Sequence, residues 1–194
     1  MSNNNLTPKK KAIFEKAARL FQEKGYPAAS MRDLADEVDL KVSSLYSHIG
    51  GKEEILQKIC FDNARHFLNG IAEIENRNLS PYEQICALVR LHIRIAMDDP
   101  TSVTVFNDEW RHLSEPALTE FLKMRKDYET RFARIIRKGM EEGALKKLDQ
   151  GVVLQTILSA MRWVYYRKPG KGTPSAEQIE RDMLTILMSG IGLE

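Results

Sequence analysis

An all-α chain of about nine helices is what this sequence predicts, and three observations carry that reading. Apolar residues recur at three- and four-residue spacing through almost every segment, strand-like alternation is missing, and capping signals punctuate the chain at helix-length intervals. No internal repeat interrupts the pattern, and low complexity is confined to the asparagines of residues 3–5. The implied architecture is three small N-terminal helices followed by a larger bundle.

The first helix is expected over residues 8–24. Pro8 opens it, Ile13, Phe14, Ala17, Leu20 and Phe21 form its buried stripe, and Gly25 stops it. Ser30 followed three residues later by Asp33 is a capping box for a short second helix, with Met31, Leu34, Ala35 and Val38 on one buried face. A turn at Asp39-Leu40-Lys41 leads to a third helix over residues 42–49, where Val42, Leu45 and Ile49 share a face. Its opposite face carries Ser43, Ser44, Ser47 and His48, with Tyr46 on the flank. A short helix pinned by three apolar residues and otherwise lined by small hydrogen-bonding side chains suits insertion into a DNA major groove. For the serines taken alone, a merely solvated face is the better explanation.

Gly50-Gly51 breaks the chain, and Glu53 and Glu54 fall in the first turn of a fourth helix, as the dipole prefers. Its apolar residues Ile55, Ile59, Phe67, Ile71 and Ile74 carry it to residue 76, about 36 Å, enough to link two domains. Ser80-Pro81-Tyr82-Glu83 is a second capping box and starts a fifth helix that runs to Met97. A sixth is expected over 100–112, a long charged seventh over 116–143, a strongly apolar eighth over 149–167 and a ninth over 174–190. The run Lys168-Pro169-Gly170-Lys171-Gly172 reads as the loop between the last two.

Hydrophobic content of 43% and charged content of 29% are ordinary for a soluble globular protein. The net charge of +2 becomes informative once divided: residues 1–52 hold seven Lys, two Arg and six acids, a net of +3, leaving −1 for residues 53–194. Positive charge is thus confined to the segment with the paired short helices, as phosphate attraction requires; for Lys9, Lys10 and Lys11 alone, a solubilising tail is an equal alternative. Cys60 and Cys86 are isolated, which argues for neither a zinc site nor a disulfide framework, and both are expected in helix cores of a reduced, cytoplasmic protein. No signal peptide is visible, and no apolar run approaches the roughly 18 residues that span a bilayer.

Four linked segments resemble the TetR-type bacterial transcriptional regulators. They are Phe21-x-x-x-Gly25-Tyr26 closing the first helix, Ser30-Met31-Arg32-Asp33-Leu34-Ala35, Ser44-Leu45-Tyr46-Ser47-His48-Ile49, and Lys52-Glu53-Glu54-Ile55. The sequence departs from the pattern at Asp39, where the family has Gly, at Lys41, where it has Ser, and at Ile49, where it has an aromatic. Asp39 tolerates a left-handed turn less readily than Gly. The resemblance implies a DNA-binding helix-turn-helix domain over 1–52 and a ligand-sensing and dimerisation domain over 53–194. It assigns Ser44, Tyr46 and His48 to phosphates, Val42, Ser43 and Ser47 to base edges, and Lys52 and Ser30, each at a helix start, to further phosphates. The implied partners are an operator duplex, a small-molecule effector and a second copy of the chain.

The eighth helix is apolar around most of its circumference, through Val152, Val153, Leu154, Ile157, Leu158, Met161, Trp163 and Val164, so it must be covered on several sides. The resemblance implies that the eighth and ninth helices pair with their mates in a four-helix dimer face; a monomer with the eighth helix at its centre is the alternative. A thin polar stripe remains at Gln155, Ser159, Arg162 and Tyr166. Burying the Arg162 guanidinium demands water, an acid or an anionic ligand. Asn107-Asp108-Glu109-Trp110-Arg111-His112-Leu113 and Met161-Arg162-Trp163-Val164-Tyr165-Tyr166-Arg167 are similar to a branch of the family that senses acyl-CoA thioesters or related lipid intermediates. That similarity implies a pocket lined by Trp110, Tyr128, Arg162, Trp163 and Tyr166, with Phe67, Leu91, Ile95, Phe106, Phe121 and Met124 as its apolar wall.

Two other classes compete. Glu109-x-x-His112 has the spacing of a di-iron bundle enzyme, yet the sequence holds no second Glu-x-x-His. Glycine-rich phosphate loops, nucleophile elbows and Cys/His sets are likewise missing, so no catalytic residue, metal or cofactor is expected. An adaptor whose head binds protein instead of DNA is the second competitor; steep salt dependence of duplex binding separates the two.

Overall fold

A computed structural model of the chain describes residues 7–167, 170 and 172–192. Among them run nine α-helices: α1 (Pro8–Lys24), α2 (Met31–Glu37), α3 (Val42–Tyr46), α4 (Lys52–Glu75), α5 (Pro81–Asp98), α6 (Pro100–Glu109), α7 (Ala117–Glu141), α8 (Gln150–Tyr165) and α9 (Ala176–Ile191). A 3₁₀ turn, Trp110–His112, follows α6. The asparagine run at 3–5 and loop residues Lys168, Pro169 and Lys171 lie outside the described residues.

The caps at Ser30, Ser80 and Asp149 sit where the sequence puts them, and Thr7 and Ser175 add two more. Thr7, Ser30, Ser80, Asp149 and Ser175 each accept a backbone N–H of the first turn, and the Ser30–Asp33 and Ser80–Glu83 boxes close reciprocally. Gly25 ends α1 at φ 80°, a left-handed angle that suits glycine. The third helix is shorter than expected. The Ser47 hydroxyl and N–H both donate to the Ser44 carbonyl, at 2.6 and 3.2 Å, and this local competition ends α3 at Tyr46.

The described residues fall into two compact units: one up to Asn63 with Thr101–Phe121, the other Ala64–Pro100 with everything from Leu122 onward. In the first unit, Ile13, Phe14, Ala17, Leu20 and Phe21 of α1 are buried with Leu34, Ala35, Leu45, Ile49, Ile55 and Leu56. Met31 and Val38 are half-buried, so the α2 stripe narrows to its two central residues. Val42 is 37% exposed, which corrects the expected inner face of α3: Leu45 and Ile49 alone pin it. Cys60 is buried, and burial, then the Glu53 and Glu109 carboxylates, pushes its thiol up to about 12, leaving it protonated and inert.

In the second unit, α5 supplies Ile85, Leu88, Val89, Ile93 and Ala96 to a core against α8 and α9. Gly70 of α4 leaves the space that the Leu91 side chain fills; any Cβ there would overlap it. The Lys146 N–H donates to the Ile191 carbonyl at 2.8 Å, closing the end of α9 onto the loop before α8. No helix among the described residues is long and apolar enough to cross a membrane.

Candidate nucleic-acid interface

The reading surface begins with a turn. Asp39 adopts φ 52°, the left-handed conformation the tight connection between α2 and α3 demands. The turn aims α3 so that Val42, Ser43, Ser44, Tyr46 and Ser47 are exposed, while His48 is half-buried. Tyr46 is 51% exposed. The Ser43, Ser44 and Tyr46 hydroxyls are bound to no other described group, which leaves them available to an incoming partner. Ser47 differs: its proton is engaged on the Ser44 carbonyl, so toward a base edge it acts as an acceptor.

Two residues expected to meet phosphate are engaged within the chain. The Ser30 backbone N–H donates to Asp33 Oδ2 at 2.9 Å, its hydroxyl proton goes to the same oxygen, and the hydroxyl oxygen accepts the Asp33 N–H. Lys24 lies 2.7 Å from the other Asp33 oxygen, and the Lys24 and Ser30 bonds hold this carboxyl well below its usual range. An ionised carboxylate thus stands where Ser30 was to receive an anion. Lys52 spends its ammonium on the carbonyls of Tyr26, Pro27 and Ala29, at 3.1, 3.4 and 3.1 Å.

Two cations of the helix-turn-helix, Arg32 on α2 and Lys41 at the start of α3, are exposed and without an ion pair among the described residues. By contrast Lys10, Lys11, Lys16 and Lys24 are paired with Glu54, Glu15, Glu37 and Asp33. Sequence reading assigned no role to Arg32, at the start of α2, or to Lys41, at the start of α3. An open depression of about 590 Å³ lies alongside, lined by Ser30, Met31, Tyr46, Gly50, Gly51 and Lys52 among others.

The residues expected to line an effector pocket are divided between the two units. In the first unit, Phe121 collects Phe106 edge-on at 5.6 Å, Trp110 stacked at 5.9 Å and Phe61 at 6.3 Å. In the second, Phe67 lies 4.6 Å from the His92 ring and 5.7 Å from Tyr128. Ile95 is buried in the α5 core, Met124 is half-buried, and Leu91 fills the Gly70 notch. Arg162, Trp163 and Tyr166 lie on the outer side of α8, so within the chain they do not share the interior with Phe67 and Tyr128. The Arg162 guanidinium is exposed to water, one of the three expected surroundings, and bonds the Tyr166 hydroxyl at 3.3 to 3.4 Å.

His92 went unnoticed in the sequence, although its place on the Leu88-Val89-His92-Ile93-Ala96 stripe marks it as buried. Its two ring nitrogens bond the Tyr165 and Tyr128 hydroxyls, each at 2.7 Å. Burial lowers the imidazole to about 3, so it is neutral, one nitrogen donating and the other accepting. The Glu109–His112 pair, 3.5 Å apart, sits in the first unit beside Tyr26, on which His112 stacks at 5.6 Å. Among the described residues no group of three or more His, Cys, Asp or Glu is placed to hold a metal ion.

A helix-turn-helix with a bare outward face, joined to a separate helical unit, defines a DNA-binding regulator of the helix-turn-helix class. Residues 13–59 match the family described as bacterial regulatory proteins, tetR family, and residues 78–191 match the Tetracyclin repressor-like C-terminal domain. The chain belongs to the TetR family of bacterial transcriptional regulators. It is 28% identical over 183 residues to the HTH-type transcriptional repressor KstR2 of Mycolicibacterium smegmatis, covering 92% of this chain and 88% of that one. Its fold is similar to the ketosteroid transcriptional regulator KstR2 of Mycobacterium tuberculosis, at TM-score 0.90 and 23% identity over 98% of both chains. It is also similar to AibR in complex with isovaleryl coenzyme A and operator DNA, at TM-score 0.80 and 23% identity, over 92% of this chain and 97% of that one.

Proposed function

We propose that the chain acts in the cytoplasm as a homodimeric repressor that leaves its operator when a small hydrophobic or acyl-CoA-like effector binds the 53–194 domain. The observation that carries the DNA half of this reading is the outward face of α3, where hydroxyls stand exposed on a helix fixed by Leu45 and Ile49. In this reading Ser44, Tyr46 and His48 grip phosphates, Val42, Ser43 and Ser47 meet base edges within the 1–52 head, and Arg32 and Lys41 add charge.

The dimer follows from surface that a lone chain leaves wet. Val152 and Trp163 of α8 are 64% and 49% exposed, and Ile186 of α9 is 72% exposed. Exposed apolar residues on two helices that both pack against α5 support mutual burial in a four-helix interface. The effector class is supported by two structural relatives, a ketosteroid regulator and AibR in complex with isovaleryl coenzyme A. Phe67 and Tyr128, next to His92, are the interior residues assigned to it, while Arg162, exposed beside Tyr166, suits an anionic group better than an apolar tail.

The test is fluorescence anisotropy of the full-length protein on duplexes enriched from its own genome. Isovaleryl-CoA and longer acyl-CoA thioesters are added, with free coenzyme A as the control. Release corresponding to a coupling of roughly 1–3 kcal/mol is expected from at least one thioester. Duplex binding that no thioester disturbs rejects the effector class; no specific duplex binding rejects the repressor.

A further inference from the structure

We propose that Lys52 is a positioning residue of the DNA-reading head, not one of its phosphate ligands. An ammonium has three protons, and here three backbone carbonyls receive them: Tyr26 at 3.1 Å, Pro27 at 3.4 Å and Ala29 at 3.1 Å. The ammonium also lies 4.5 Å from the centre of the Tyr26 ring. All three carbonyls belong to the connection between α1 and α2. Its polar groups are held by few backbone bonds, of which Ala29 N–H to Gly25 carbonyl at 3.2 Å is one. Lys52 supplies the donors that this connection lacks.

The consequence is geometric. Lys52 is the first residue of α4, and α3 lies between the connection it grips and its own helix. By tying the start of α4 to the chain just before Ser30, it closes the frame in which the five-residue α3 sits. The depression that Ser30, Tyr46, Gly51 and Lys52 line together is the surface expression of that frame. Glu54, two residues on, works on the other joint. It accepts the Gly50 N–H at 2.6 Å and the Lys10 ammonium at 2.9 Å, fixing the link from α3 into α4 against α1. A five-residue helix with one buried side chain of its own, Leu45, depends on such ties for its aim. A phosphate that bound Lys52 would have to strip a carbonyl from the ammonium, whereas Arg32 and Lys41 offer charge with no ion pair to break.

The inference rests on the chain's being a DNA-reading regulator, and the experiment separates the two. Full-length wild type, Lys52→Met and Lys52→Arg are titrated by anisotropy against a genome-selected duplex and a scrambled duplex of equal length, from low to high salt. A positioning residue predicts that both variants lose specific affinity by ~5-fold or more, keep the scrambled-duplex affinity, and leave the salt slope unchanged. Arginine fails with methionine because a flat guanidinium cannot meet three converging carbonyls as an ammonium does. A phosphate ligand predicts the opposite: Lys52→Arg binds as wild type, and Lys52→Met weakens both duplexes and lowers the salt slope by about one. That result overturns the proposal. So does unchanged affinity on both duplexes with only a lowered urea midpoint, which marks Lys52 as a stability residue. Wild type that does not discriminate between the duplexes disproves the DNA reading instead.

Discussion

Glu53 receives the backbone N–H of Ser114 on one carboxylate oxygen at 3.0 Å, and the Tyr26 hydroxyl on the other at 3.1 Å. One side chain in the first turn of α4 thereby holds two segments of the same unit, the loop after α1 and the chain after the 3₁₀ turn. Burial and the Glu53 carboxylate keep the Tyr26 phenol well above its ordinary range, so it remains a donor.

Replacing Glu53 with alanine removes both bonds. The half-buried site is partly screened by water, so the expected loss is roughly 1–3 kcal/mol of unfolding free energy in urea. Hydrogen exchange at the Ser114 amide should accelerate in parallel. An unchanged exchange rate at Ser114 contradicts the anchoring role.

Asp39 stands at a left-handed angle that a β-branched residue resists. Asp39→Val is expected to cost about 1–2 kcal/mol, while Asp39→Gly costs little or nothing because glycine adopts the angle freely. Chemical denaturation of the two variants checks the contrast. Equal destabilisation by both points to a lost aspartate contact and not to backbone geometry.

His92 makes stability depend on acid. The unfolded chain takes up its proton near pH 6.5, whereas the buried imidazole resists protonation to about 3. Between those values the unfolded state holds more protons, so stability declines as pH falls, by at most about 1.4 kcal/mol per unit from this group. Above pH 6.5 the contribution is flat. His92→Gln, which can still donate and accept, should reduce the drop in urea midpoint between pH 6.5 and 5. A variant with the same drop as wild type removes His92 from the acid response.

Ile186→Glu places a charge on the most exposed apolar residue of α9. Sedimentation is expected to show monomer at concentrations where wild type is dimeric, with the helical circular dichroism intact. A variant that stays dimeric moves the two-fold face away from α8 and α9.

Much of this was legible because the signals are local. Capping boxes at Ser30 and Ser80, the glycine after α1 and the apolar period of α1 are encoded within a few residues of where they act, and the structure has them there. Partnerships across the chain were not legible. Nothing near Lys52 announces that its acceptors lie 23 to 26 residues upstream, nor does anything near Glu53 point to Ser114. Val42 misled because a five-residue helix turns too little to bury three positions of one face.

Selection of duplexes from genomic DNA by the full-length protein, followed by sequencing and by counting subunits per duplex, tests the central claim most directly. The account predicts a two-fold-symmetric sequence whose half-sites are about 34–36 Å apart or a multiple of that, occupied by pairs of subunits, with enrichment lost in Ser43→Ala. Retained duplexes without a shared sequence, or one asymmetric site held by a single subunit, would contradict it.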